Sequence, residues 1–171
     1  MEKTLVLGVG NILLSDDGVG VHTIRRLQEI AQLPEEVQVL DGGTKGMDLL
    51  HYMEGVAHMV IVDAVETGRP PGTLTRITGD RVPAYLAPKM SPHEIGLPDM
   101  LFAAQLRDIY PEEVVVWGVQ PATTEVSLEL SPPVAAQLDV LVEKVLEELA
   151  RWGITARRKA LVPAATGEFV P

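Results

Sequence analysis

Short β-rich apolar runs alternate with segments of helical period along most of this chain, and nothing else in the sequence restricts the fold as strongly. Thr4–Val9 is a β-rich run ending at glycine positions, and Val21, Ile24, Leu27 and Ile30 then recur at helical spacing up to Pro34. Val37–Leu40 reads as a second strand, followed by a short helix through Met47, Leu50 and Met53. His58–Val62 is a nearly continuous apolar strand, of the kind buried on both faces of a parallel sheet. Thr73–Thr78 follows the Pro70-Pro71-Gly72 turn as a further strand, and the three prolines Pro83, Pro88 and Pro92 make the segment from Gly79 to Pro92 an ordered loop. Leu97–Leu106 reads as helix with Pro98 in its first turn, and Val114–Val119 as another buried strand. The last helix opens at Ser131-Pro132, carries Val134, Leu138, Leu141, Val145 and Leu149 on one stripe, and stops at Gly153. Such alternation predicts a three-layer α/β/α sandwich around a twisted, mostly parallel sheet. One domain over residues 1–153 accounts for it, with 154–171 as a mobile C-terminal tail.

In a sheet of this class, sites form where loops converge at the carboxyl ends of the strands. Three successive strands deliver a carboxylate there: Asp16 and Asp17 in GVGNILLSDDG, Asp41 opening DGGT, and Asp63 opening DAVETG. Each has an ordinary structural explanation, as a helix cap for the first pair and as a strand-end turn residue for the others. Carboxylates gathered at one edge repel unless a cation or shared proton offsets them, so their convergence points to a metal. His93 sits in the polar, proline-bracketed loop KMSPHEIGLP, whereas His22, His51 and His58 lie on elements where packing or solvent suffices to explain them. Asp17, Asp63 and His93 form an oxygen/oxygen/nitrogen set. Three protein ligands with open positions is the pattern of a working metal site, compatible with Zn²⁺, Ni²⁺ or Fe²⁺.

Composition narrows the chemistry. With no cysteine among 171 residues, a disulfide framework, a thiol nucleophile, an iron–sulfur centre and a Cys-rich zinc site are excluded. A net charge of −10 argues against nucleic acid as the main partner. Residues 1–150 hold 23 acidic and 10 basic residues, whereas 151–171 hold four basic and one acidic. No apolar run reaches the roughly 18 residues of a membrane span, and the first apolar stretch is too short for a secretory leader, so the expected location is the cytoplasm. No unpaired apolar helix face forces assembly, so a monomer or weak oligomer is expected.

Other motifs are weaker. Gly8-x-Gly10 after a strand invites a dinucleotide-binding reading, but position 13 is Leu and two adjacent carboxylates would repel a pyrophosphate. Neither HExxH nor GxSxG is present. Gly42-Gly43 fits a tight turn or a close approach of substrate backbone, and Gly118–Pro121 is expected to shape the same cleft wall.

Taken in order and spacing, LVLGVGNILLSDDGVGV, VLDGGTKGMDLL, IVDAVETGRPPGTL, MSPHEIGLPDML and VVVWGVQP resemble the hydrogenase maturation endopeptidases that process [NiFe]-hydrogenase large subunits. The likeness runs from about Thr4 to Trp152. It implies an endopeptidase that removes the C-terminal extension of the large-subunit precursor after nickel insertion. It also implies that Asp17, Asp63 and His93 are metal ligands and, together with Asp41 at a further position the family relies on, the catalytic set, Asp41 assisting as a base or orienting the site. Many relatives carry Glu at the Asp17 position, so this shorter acid alters ligand reach. The nickel is expected to be presented by the substrate, and zinc or cadmium could occupy the same ligands. The competing expectations are a non-proteolytic nickel-binding assembly chaperone, a nucleotide-binding protein, and a relative specialised for another precursor.

Overall fold

The computed structural model describes residues 2–86 and 96–160. The main sheet has strands β1 (Lys3–Val9), β3 (Val37–Gly43), β4 (Val56–Ala64), β5 (Leu74–Thr78) and β6 (Glu113–Val119) in the order β3-β1-β4-β6-β5. β3, β1, β4 and β6 are mutually parallel and β5 runs antiparallel to β6, so the expected α/β/α sandwich with its mostly parallel sheet is what forms. β1 and β4 are central, which is why six of seven residues in β1 are buried and the run is apolar without alternation.

Side-chain alternation along these strands divides the core in two. Leu5, Leu7, Met59, Ile61 and Val116 pack with Leu49 and Met53 of the 3-10 helix Gly46–Met53, and with Met100 and Leu101 of α3 (Leu97–Leu106). Val6, Val60, Val62 and Val119 face the other way, against Ile24 and Leu27 of α1 (Val19–Ile30) and Leu141, Val145 and Leu149 of α5 (Leu138–Arg151).

α1 lies unusually close to the sheet, and glycines allow it. A Cβ on Gly20 would stand 2.1 Å from the Val62 carbonyl oxygen and 2.5 Å from that of Val9. One on Gly8 would stand 2.3 Å from the Gly20 oxygen. The Gly8 and Gly20 backbones thus meet face to face, seating the first turn of α1 on the carboxyl ends of β1 and β4. Ala at position 20 would gain about 1 kcal/mol in helix propensity. The clash is with backbone oxygens, which cannot rotate away, and overpacking costs about 1–3 kcal/mol or more. We expect Gly20→Ala to lower stability by about 2 kcal/mol net, read from urea midpoints at constant slope.

Several local expectations change. The loop after Gly79 contains a helix, α2 (Arg81–Leu86), because Pro83 falls within its first turn, where a missing N–H costs nothing. The last helix is two pieces, α4 (Pro132–Ala135) and α5, and Ser131 does not cap the first with its side chain. The chain after Gly153 does not start a free tail. Ile154 and Ala156 pack on the α1/α5 core, and β7 (Arg157–Arg158) pairs antiparallel with β2 (Ala31–Gln32). Arg158 donates to both oxygens of Glu143 at 2.6 and 2.7 Å, and Lys159 Nζ donates to the Gln28 carbonyl at 2.6 Å. Part of the basic end therefore docks on the acidic body; residues 161–171 lie outside the described residues. Among the described residues, no helix is long and apolar enough to cross a membrane.

The buried Glu148 ties edge to core. It accepts from Arg76 of β5 through Nε at 2.5 Å and Nη2 at 3.0 Å, from Trp117 Nε1 at 3.2 Å, and from Arg151 at 3.1 Å. Burial alone would raise its pKa, but the Arg76 pair and the other donors bring it below the ordinary carboxylate value.

Candidate active site

The chain leaves β1 through α1 to reach β3 on one side. It then returns through the 3-10 helix on the opposite face to reach β4 on the other side. That reversal opens a crevice at the carboxyl ends of β1 and β4. A cleft of about 510 Å³ occupies it, lined by Val9, Gly10, Asn11, Leu14, Asp17, Gly43, Thr44, Gly46, Asp63, Gly96, Leu97 and Pro98.

Asp17 and Asp63 both line this cleft. Asp63 is the penultimate residue of β4 and only 4% exposed. Asp17 is half-buried at the end of the 3-10 turn Ser15–Gly18, and its Oδ2 accepts the Asn11 N–H at 2.8 Å. That bond holds the carboxylate over the loop rather than on the helix; α1 receives no side-chain cap. Gly10 makes the turn possible: it has φ +125°, and a Cβ there would lie 1.8 Å from the Asp17 carbonyl oxygen. Both glycines of Gly8-x-Gly10 are therefore committed to contacts with the protein's own backbone, which removes the basis for a nucleotide reading. Gly43, at φ +46°, lines the cleft and accepts the Gly10 N–H at 2.8 Å, so the turn and the open cleft wall coincide at this residue.

Asp41 does not line the cleft. It is exposed and ion-paired with Arg25 of α1 at 3.2 Å. His93 lies outside the described residues. Among the described residues, no group of three His, Asp or Glu side chains is arranged to hold a metal ion. Of the three predicted site residues that are among the described residues, the structure thus brings together two, Asp17 and Asp63. The other histidines stand elsewhere: His58 stacks on Trp152 at 4.8 Å, the His51 and Tyr52 rings meet at a tilt of 39° with centroids 3.9 Å apart, and His22 is half-buried on α1. Gly118–Pro121 does not line the cleft either. The buried Gln120 instead accepts from Thr67 N–H at 2.7 Å and Thr67 Oγ1 at 2.9 Å, fixing the loop after β4.

One residue carries more than the sequence suggested. Asp16 is fully buried and accepts four hydrogen bonds, from the N–H groups of Ala122, Thr123 and Ser131 at 2.8, 3.2 and 2.7 Å and from Ser131 Oγ at 2.7 Å. Burial opposes its charge, but these donors outweigh burial and hold its pKa below the ordinary value. Next to it, Ser15 has φ +50°, a left-handed conformation costing a non-glycine residue roughly 1 kcal/mol. Its N–H donates to Ser127 O at 2.8 Å and its Oγ to Glu129 O at 2.7 Å. Residues 122–131 are thus bolted to the loop that presents Asp17.

Comparisons with known proteins show the family. A family model described as hydrogenase maturation protease (HycI) matches residues 21–148. The chain is 39% identical over 155 residues to the Hydrogenase 2 maturation protease of Escherichia coli K12, covering 90% of this chain and 94% of that protein. This chain belongs to the hydrogenase maturation protease family. Its structure superposes on that of the E. coli hydrogenase-maturating endopeptidase HybD with a TM-score of 0.87 at 39% identity, covering 92% of this chain and 98% of the other. The hydrogenase expression/formation protein HupD of Rhodobacter capsulatus is 40% identical over 163 residues, covering 94% of this chain and 78% of that one. As a hydrogenase maturation protease, the chain is a hydrolase that cleaves peptide bonds.

Proposed function

We propose that this protease removes the C-terminal extension of a [NiFe]-hydrogenase large-subunit precursor after nickel has been inserted. We further propose that Asp17, Asp63 and His93 contact the nickel that the precursor presents. The observation that carries this reading is the convergence of Asp17, from the loop after β1, and Asp63, from the end of the neighbouring parallel strand β4, on one cleft at the switch point of the sheet. Two carboxylates and an imidazole suit a borderline cation, and zinc or cadmium would be accepted by the same set. Without a thiolate anywhere in the chain, the site can touch a cysteine-bound centre without competing for its metal. The contact orients the extension, or activates a water for attack on the scissile carbonyl. Asp41, through its pair with Arg25, steadies the end of β3 that carries Gly43. We propose the cytoplasm as the place of this step.

Incubation of the protein with the nickel-loaded precursor from the same organism, followed by mass measurement, tests this. A precursor shortened at its C-terminus is expected. Stable association without loss of mass would favour the assembly-chaperone alternative.

A further inference from the structure

The cleft is small for a protein substrate. Its 510 Å³ is the scale of a site for a drug-sized molecule, whereas specific protein recognition covers roughly 800 Å² of each partner. Recognition of the precursor must therefore extend over a neighbouring surface. Leu14 of the cleft wall belongs to a ridge at the cleft's edge, built from two segments, 13–15 and 126–129, joined by the parallel bridge Leu14–Ser127. Ser127 N–H donates to Leu13 O at 3.0 Å, and Ser15 N–H to Ser127 O at 2.8 Å. Leu14 lines the cleft, while Leu13, Val126 and Leu128 on the same ridge are 55%, 86% and 64% exposed. Exposed Glu125 and Glu129 flank them.

We infer that the ridge of Leu13, Val126 and Leu128 is the docking surface for the precursor, receiving an apolar segment flanked by cationic side chains beside the bond to be cut. The inference rests on the proposed function. Three features select this occupant: the ridge is continuous with the cleft, it is rigid before binding, and its apolar crest sits between two carboxylates. Apolar side chains held out on a fixed backbone lose little entropy on docking. The Asp16 hydrogen bonds set the ridge and the Asp17 loop in one rigid unit, so a chain seated on the crest is registered against the cleft.

The test is the variant Leu13→Ser/Val126→Ser/Leu128→Ser, with Val140→Ser on α5, which is 41% exposed, as an apolar surface control. The substrate is the intact nickel-loaded precursor. We expect the triple variant to keep its thermal midpoint and kcat while KM rises at least tenfold, and Val140→Ser to match the parent protein. Glu125→Lys/Glu129→Lys should raise KM in the same direction. Titration of the precursor into the Asp63→Asn protein, with and without the triple change, reads binding without cleavage, and Kd should weaken by the same factor. An unchanged KM and Kd in the triple variant, or an equal loss in Val140→Ser, would overturn the docking surface. Binding that depends on the ridge without any shortening by the parent protein would instead support the surface and overturn the proposed function.

Discussion

Asp63→Asn is expected to lower the rate of precursor shortening by on the order of 10²–10⁴-fold while leaving the far-ultraviolet circular dichroism of the protein unchanged. The side chain is 4% exposed at the end of a central strand, and Asn has almost the same shape. What the substitution removes is a negative charge and an acceptor aimed into the cleft. Asp17→Asn is expected to act in the same direction. Its amide oxygen can still accept the Asn11 N–H, so the loop is kept and the loss reports on the charge. The readout is the mass-resolved rate at saturating precursor. Normal rates in both variants would remove these two residues from the site.

A different kind of loss is expected from Asp16→Ala. Four donors that now reach one buried carboxylate would be left without an acceptor, and the strained Ser15 turn would lose its neighbouring anchor. Stranding buried donors and breaking a charged network cost about 3–5 kcal/mol. For a chain of this size that corresponds to a fall in thermal midpoint of roughly 10 °C. Acid should distinguish the variant further. The Asp16 pKa is lower folded than unfolded, so its stabilisation is complete above the unfolded value near 4 and is lost as pH falls through the folded value. Glu148 behaves in the same sense. The parent protein should therefore lose thermal midpoint steadily between about pH 5 and pH 3, and Asp16→Ala should show a shallower slope, with the Glu148 contribution remaining. An equally steep acid dependence would contradict the role given to Asp16.

Asp16 also marks the limit of what local pattern conveys. It stands next to Asp17 in the sequence, and both suit a helix cap equally well. Only the approach of residues 106 to 115 positions away separates them, one into a buried hydrogen-bond cage and the other into the cleft. Elements whose signal is local were legible: α1 begins and ends where its apolar period does, and the continuous apolar runs of β1, β4 and β6 became inner strands. Strand ends at the carboxyl edge located Asp17 and Asp63 correctly, because parallel strands place their following loops on one side of the sheet. The same rule brought Asp41 to that edge but could not foresee that Arg25, on the helix above, would hold it outside the cleft. The antiparallel sense of β5 and its position beyond β6 depend on contacts such as Arg76 to Glu148, which span 72 residues. α2 was hidden by a proline that reads as a breaker unless its place in the first turn is known.

In the proposed function, the two cleft carboxylates act on a precursor because of the metal it carries. The most direct measurement compares the rate at which the protein shortens nickel-loaded and nickel-free forms of the same precursor, read by mass under identical conditions. Cleavage of the loaded form should be at least a hundredfold faster, with the difference collapsing in Asp17→Asn. Equal rates on the two forms would contradict the proposed function.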